Sequence, residues 1–333
     1  MASICVLGAG SWGTAMAILI ARNGHKTLLW GRNEPHMTKL GRDRCNDRYL
    51  PGVRLPDSLE YSSNLRCSVA DRDIVLIAVP SHAFRSTLAL IQSFLDSKTR
   101  IAWATKGLDP NTGGLLHETV YQVFSSTRPV AVVSGPTFAK EVARNLPTAM
   151  TIASPDTRFG LDLSEILHNE RFRVYTSDDV IGVQLGGAVK NVLAIATGAA
   201  DGLGFGANSR AAIVTRGLAE LMRLGFALGA KQETLMGLAG LGDIVLTCTD
   251  DQSRNRRLGI GLGQGKPLTE VIREIGQEVE GISAAREIYQ LAVKHRIEMP
   301  ISEQVYKVLY ENVSPQTAVR NLLVREQKEE RIQ

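Results

Sequence analysis

Ile4-Cys5-Val6-Leu7-Gly8-Ala9-Gly10-Ser11-Trp12-Gly13 runs four apolar, β-prone residues straight into a GxGxxG turn. After it, Trp12, Ala15, Met16, Leu19 and Ile20 recur at helical spacing, and the pattern stops at Asn23-Gly24, where glycine suits the left-handed position past a helix end. The order is therefore strand, turn, helix. In that setting Gly8 permits the tight turn, Gly10 lets backbone approach a pyrophosphate, and Gly13 lets helix and strand pack closely. The first-turn amides around Ser11 and Trp12 then receive the anion. A glycine-rich turn that only packs is the alternative, and the flanking strand, helix and further βα units favour dinucleotide binding over it.

Working outward, residues 27–30, 74–79, 101–104 and 130–133 read as strands separated by helical patterns, the rhythm of a parallel sheet covered by helices. Residues 150–152 and 172–175 extend the sheet. From Ser177 the β-branched runs thin out and Ala-, Leu- and Gly-rich helical spacing takes over. The expectation is an α/β protein: a Rossmann-type doubly wound sheet over residues 1–177, then an all-α C-terminal domain over 178–333. Asp178-Asp179 suits a helix N-terminus, and a second helix is expected from Ser209 with Ile213, Gly217, Leu221, Leu224 and Leu228 on one face. The polar tail, residues 325–333, is expected to fray.

Two domains also follow from 333 residues. Hydrophobic residues at 44% and charged residues at 22% exclude a disordered or collagen-like chain. A net charge of +4 is too weak to imply nucleic acid or an anionic membrane, though it suits a small anionic ligand. Cys5, Cys45, Cys67 and Cys248 have no CxxC or zinc-ribbon spacing, so reduced thiols in a cytoplasm are expected. The longest clean apolar run, residues 74–80, falls far short of the roughly 20 needed to span a bilayer, and no export signal precedes it. The six histidines lack ligand spacing and no metal is expected. A homodimer is the default assembly by the frequency of two-fold oligomers.

Where such a fold normally carries an acid for the ribose 2′-hydroxyl, this chain has Trp30-Gly31-Arg32. Arg32 welcomes a 2′-phosphate, which favours NADP(H) and leaves NAD(H) use open; a solvated arginine stacking on adenine is the other reading.

Several stretches, taken in order, resemble the bacterial NAD(P)-dependent glycerol-3-phosphate dehydrogenases. They are the turn Gly8 to Gly13, then Arg48-Tyr49-Leu50-Pro51-Gly52, Ala104-Thr105-Lys106-Gly107-Leu108 and Ser134-Gly135-Pro136-Thr137-Phe138-Ala139. They continue with Lys190-Asn191-Val192, Gly240-Leu241-Gly242-Asp243, Ser253-Arg254-Asn255 and Val279-Glu280-Gly281. The match runs nearly end to end, and its order and spacing are what make it specific.

The resemblance implies reversible hydride transfer between NAD(P)H and dihydroxyacetone phosphate, giving sn-glycerol 3-phosphate for phospholipid synthesis. It makes Lys190 the general acid/base and puts Lys106, Gly135, Thr137, Lys190, Asp243, Ser253, Arg254 and Asn255 on the substrate. It puts Gly8, Gly10, Ser11, Trp12, Gly13, Arg32, Lys106, Ala139, Arg254 and Glu280 on the cofactor.

The residues have readings of their own. Lys190 shares a helical face with Val183, Gly187 and Ala194, so it is either a buried lysine whose pKa burial lowers or a snorkelling surface side chain. Gly186 and Gly187 let something approach that helix closely. Asp243, after Gly240-Leu241-Gly242, reads as a helix cap, as a partner for Lys190, or as both. Ser253 is a good N-cap, yet Arg254, Arg256 and Arg257 crowd the positive helix end behind it; a bound anion resolves the conflict, and a basic solvated turn is the alternative. Lys106 follows a strand at the sheet's carboxyl edge, and a solvated loop lysine is the plain reading there, as an exposed acid is for Glu280.

Two other functions compete. A two-domain dehydrogenase of the 3-hydroxyacid or 6-phosphogluconate type would act on a carboxylate, against which the basic stretch at Arg254 argues. A nucleotide-binding redox sensor would leave Lys190 and Asp243 superfluous.

Overall fold

In the computed structural model, residues 1–124 and 128–326 are described; from residue 327 the tail expected to fray lies outside them. The chain divides into two compact units. One comprises Met1–Asp109 and Leu116–Val180, the other Pro110–Leu115 and Ile181–Gln333.

The first unit is built on β1 (Ser3–Leu7), β2 (Lys26–Trp30), β3 (Cys45–Asn46), β4 (Leu50–Arg54), β5 (Glu60–Ser62), β6 (Ile74–Ile77), β7 (Arg100–Trp103), β8 (Val130–Ser134), β9 (Thr148–Ala153) and β10 (Phe172–Ser177). Eight of these form one sheet in the order β10-β9-β8-β7-β6-β1-β2-β5, parallel except where β9 runs against β8. The four residues of β6 are fully buried, as is Cys5-Val6-Leu7 of β1. Helices cover both faces of such strands, so their sequences are uninterrupted apolar runs. Chain order reverses between β1, which is followed by its neighbour β2, and β6 on its other side. Ligands of open α/β sheets bind outside the carboxyl ends at such a point. The antiparallel ribbon of β3 and β4 stands apart from the sheet.

At the heart of the second unit lies the helix Val180–Gly202, which begins directly after Asp178-Asp179. Val183, Lys190 and Ala194 are all buried along it. By length and hydropathy this helix could cross a membrane, and 83% of its apolar window is buried inside the protein, as a core helix requires. Counting uninterrupted apolar runs passes over it because Gln184, Lys190 and Asn191 break the run. The next helix, Ala207–Ala227, starts two residues before Ser209; Gly217, Leu221 and Leu224 are buried along it, while Ile213 and Leu228 are half-buried.

Glu220, on the same helix, is 1% exposed and accepts hydrogen bonds from the Ile301 and Ser302 amides and the Ser302 hydroxyl at the start of the helix Pro300–Tyr310. Burial outweighs those bonds and the nearby Arg223 and pushes its carboxyl from the ordinary 4.5 up to about 7. The folded chain therefore holds a proton that the unfolded chain has lost between those values. The associated stability, of about 3 kcal/mol, is complete below pH 4.5 and is lost as pH rises towards 7. Thermal melts across that window should show Tm falling with pH, and Glu220→Gln should flatten the slope; an unaltered slope would assign it to other groups.

Candidate active site

In the first unit, Gly8 leaves β1 and its amide donates to the Trp30 carbonyl at 2.9 Å, which locks the turn onto β2. A Cβ on Gly13 would stand 1.9 Å from the Gly8 oxygen, so only glycine lets the helix Ser11–Arg22 begin this close to the strand. Gly10 is the N-cap of that helix, with no side-chain cap and no acid in the first turn, which leaves the Ser11 and Trp12 end of the helix suited to an anion. The Trp12 indole Nε1 is buried without a hydrogen-bond partner, a donor matched to a ligand's acceptor. Arg32 is exposed just past β2. This turn fits a dinucleotide.

Further along the carboxyl edge, Lys106 follows β7 and Gly135 follows β8. The Lys106 ammonium donates to the Gly135 carbonyl at 3.4 Å, and the Thr137 hydroxyl donates to the same oxygen at 3.2 Å. Ala139 opens the short helix Ala139–Ala143 just beyond. Two anchors that sequence reading passed over hold the Lys106 turn. The Thr105 hydroxyl donates to the Val79 carbonyl at 2.7 Å, and buried Asp109 accepts from Arg85 Nε at 2.7 Å and from the Thr119 hydroxyl at 2.9 Å.

In the second unit, a Cβ on Gly186 would meet the Ala239 carbonyl at 2.1 Å. That missing side chain lets the π-helical turn Leu238–Gly242 close on the helix Val180–Gly202 and delivers the next residue, Asp243, to Lys190. Lys190 Nζ lies 2.5 Å from Asp243 Oδ1, with the lysine 8% and the aspartate 0% exposed. A charge-assisted bond of this kind balances an ammonium that burial alone would penalise. The Thr247 hydroxyl donates to the same carboxylate oxygen at 3.3 Å.

Asp243 is the first residue of the helix Asp243–Thr249, not its cap: Gly242 holds the cap position without a side-chain bond, and the Asp243 carboxylate is turned to Lys190.

Ser253 does cap the helix Arg254–Gly263, accepting from the Arg256 amide at 3.2 Å. The crowding of arginines resolves differently from the sequence argument. Arg256 is buried and clamped between Asp201 at 2.5 Å and Asp251 at 2.8 Å, so it needs no bound anion. Arg257 is exposed, and Arg254 is half-buried with its guanidinium 3.5 Å from the Gln277 side chain. Asn255 donates to Asn191 Oδ1 at 2.9 Å and accepts from the Gly281 amide at 2.9 Å, next to Glu280, which precedes the helix Gly281–His295. This leaves the buried Asn191 Nδ2 with no partner. Asn191 and Thr247 join this cluster without having been singled out in the sequence; the first had a signal, its place beside Lys190.

Lys190, Asn191, Asp243, Thr247, Asn255 and Gly281 thus come together in the second unit. The glycine turn and the set of Lys106, Gly135, Thr137 and Ala139 line the carboxyl edge of the first.

A doubly wound sheet with an anion-ready glycine turn, joined in one chain to helices that bury a lysine against an aspartate, marks a nucleotide-dependent dehydrogenase of the two-unit kind. Residues 3–160 match the model of the NAD-dependent glycerol-3-phosphate dehydrogenase N-terminus, and residues 179–320 match that of its C-terminus. The chain is 55% identical over 329 residues to glycerol-3-phosphate dehydrogenase [NAD(P)+] of Pseudoalteromonas translucida, with 98% of each covered. It is 57% identical over 328 residues to the enzyme of that name in Methylococcus capsulatus, again with 98% of each covered. The crystal structure of glycerol-3-phosphate dehydrogenase from Coxiella burnetii superposes with a TM-score of 0.95 at 50% identity, covering 97% of this chain and 99% of that one. The chain belongs to the NAD-dependent glycerol-3-phosphate dehydrogenase family.

Proposed function

We propose that this protein reversibly reduces dihydroxyacetone phosphate with NAD(P)H to sn-glycerol 3-phosphate, supplying the backbone for phospholipid synthesis. The carrying observation is the buried Lys190–Asp243 pair, a proton donor held in place beside an unpartnered amide. A bound nicotinamide would supply the hydride. Carbonyl reduction also needs a proton for the oxygen that becomes an alkoxide, and Lys190 Nζ is the group that gives it and takes it back in the reverse direction. Asp243, which also accepts from the Thr247 hydroxyl, holds the lysine in place for that step. Asn191 Nδ2 is a further donor for a substrate oxygen, oriented by Asn255.

Arg254, with Ser253, Asn255 and the first-turn amides of their helix, takes the phosphate. Lys106, Gly135 and Thr137 would serve the substrate from the sheet's edge, where Lys106 and Ala139 would also touch cofactor; Gly8, Gly10, Ser11, Trp12 and Gly13 would hold the pyrophosphate. Arg254 and Glu280 complete the cofactor contacts, and Arg32 favours a 2′-phosphate, hence NADP(H). The same reading carries a cytoplasmic location, which four unpaired cysteines suit, and a homodimer as the default assembly.

The test is NADPH oxidation on addition of dihydroxyacetone phosphate, with sn-glycerol 3-phosphate as the product and NADPH used better than NADH. Arg254→Ala should raise KM for the phosphorylated substrate by roughly 10- to 100-fold, the worth of a charge-assisted bond. An unchanged KM would move the phosphate elsewhere.

A further inference from the structure

The geometry points to Asn46 as the residue that positions the phosphate-binding turn, an inference that rests on the dinucleotide reading above and adds to it a residue outside the glycine motif. Asn46 ends β3, on the ribbon that stands apart from the main sheet, and is 1% exposed. Its side-chain amide reaches across 37 positions of chain to donate to the Ala9 carbonyl at 3.0 Å and to the Thr14 hydroxyl at 2.7 Å. One amide group therefore ties the middle of the glycine turn to the first turns of the helix behind it.

Ala9 joins Gly10 through a planar trans peptide, in which the carbonyl and the amide point to opposite sides. By drawing the Ala9 oxygen inward, Asn46 sets the Gly10 amide outward. The open space that a Cβ on Gly10 would enter is where ligand backbone approach is possible. Asn46 Oδ1 is buried without a partner, so the side chain is retained for its donors, at the expense of an orphaned acceptor. An aspartate of the same shape would donate to neither oxygen and would set a negative charge behind the pyrophosphate.

The experiment is fluorescence titration of NADPH into the wild-type protein, Asn46→Asp and Thr14→Val, with melting curves and steady-state kinetics on each. The expected result for Asn46→Asp is a Kd and KM for NADPH raised roughly thirtyfold, with kcat at saturating NADPH and KM for dihydroxyacetone phosphate unchanged. Thr14→Val, which keeps shape and removes one acceptor, should raise the NADPH Kd by roughly threefold and keeps the test open should the aspartate variant fail to fold. A purely architectural Asn46 would lower Tm and leave the NADPH affinity of the folded protein alone, and that outcome overturns the inference. Failure of the wild-type protein to bind NADPH would instead overturn the dinucleotide reading on which it rests.

Discussion

Lys190→Met is expected to lower kcat by roughly 10²- to 10⁴-fold while NADPH binding is retained, because it removes the proton donor and leaves the pyrophosphate turn untouched. The variant also removes the ammonium that faces Asp243, which is 0% exposed, and taking one partner from a buried ion pair costs about 3–5 kcal/mol of stability. Lys190→Arg separates the two effects. Its guanidinium keeps a positive charge facing Asp243, yet does not give up a proton in proteins, so the chain should fold near normally and still lose kcat. Steady-state kinetics with melting curves on both variants read this out. An arginine variant with wild-type kcat would remove Lys190 from proton transfer and reduce the pair to a structural contact.

The second large effect belongs to the turn. Gly13→Ala puts a methyl group 1.9 Å from the Gly8 oxygen, where backbone faces backbone and no flexible side chain can yield. The helix must shift away from β1, and its first-turn amides with it. The clash costs about 1–3 kcal/mol of stability, and NADPH affinity should fall roughly 10- to 100-fold, the worth of a charge-assisted bond that the displaced amides give up. Gly10→Ala makes the opposite test: its Cβ meets nothing in the protein, so stability should hold while NADPH binding weakens. Equal NADPH affinity in both variants and the wild type would contradict the assignment of the turn.

What could be read from the sequence was whatever is decided locally. β1, β2 and β6 to β8 announce themselves because strands buried on both faces carry runs of apolar residues, and the GxGxxG is legible because its three glycines fall within six residues, directly between a strand and a helix. Ser253 as an N-cap is local in the same way. The ribbon β3–β4 and β5 gave no such signal: strands of two to five residues that include exposed ones such as Glu60 carry no clear periodicity. For Asp243 the sequence left a cap and a partner for Lys190 both open, because capping is a rule of neighbours, whereas that partner lies 53 positions away and depends on the close approach at Gly186. Arg256 shows the same limit. Counting charges near a helix end reveals the crowding but not that Asp201, from the end of another helix, already neutralises it. Asn46 was invisible for want of any local pattern at all.

The most direct test of the central claim pairs two substrates: NADPH oxidation by the purified protein with dihydroxyacetone phosphate, and the same assay with unphosphorylated dihydroxyacetone. Turnover is expected to depend on the phosphate. Demonstrated NADPH binding with no turnover of dihydroxyacetone phosphate would contradict it.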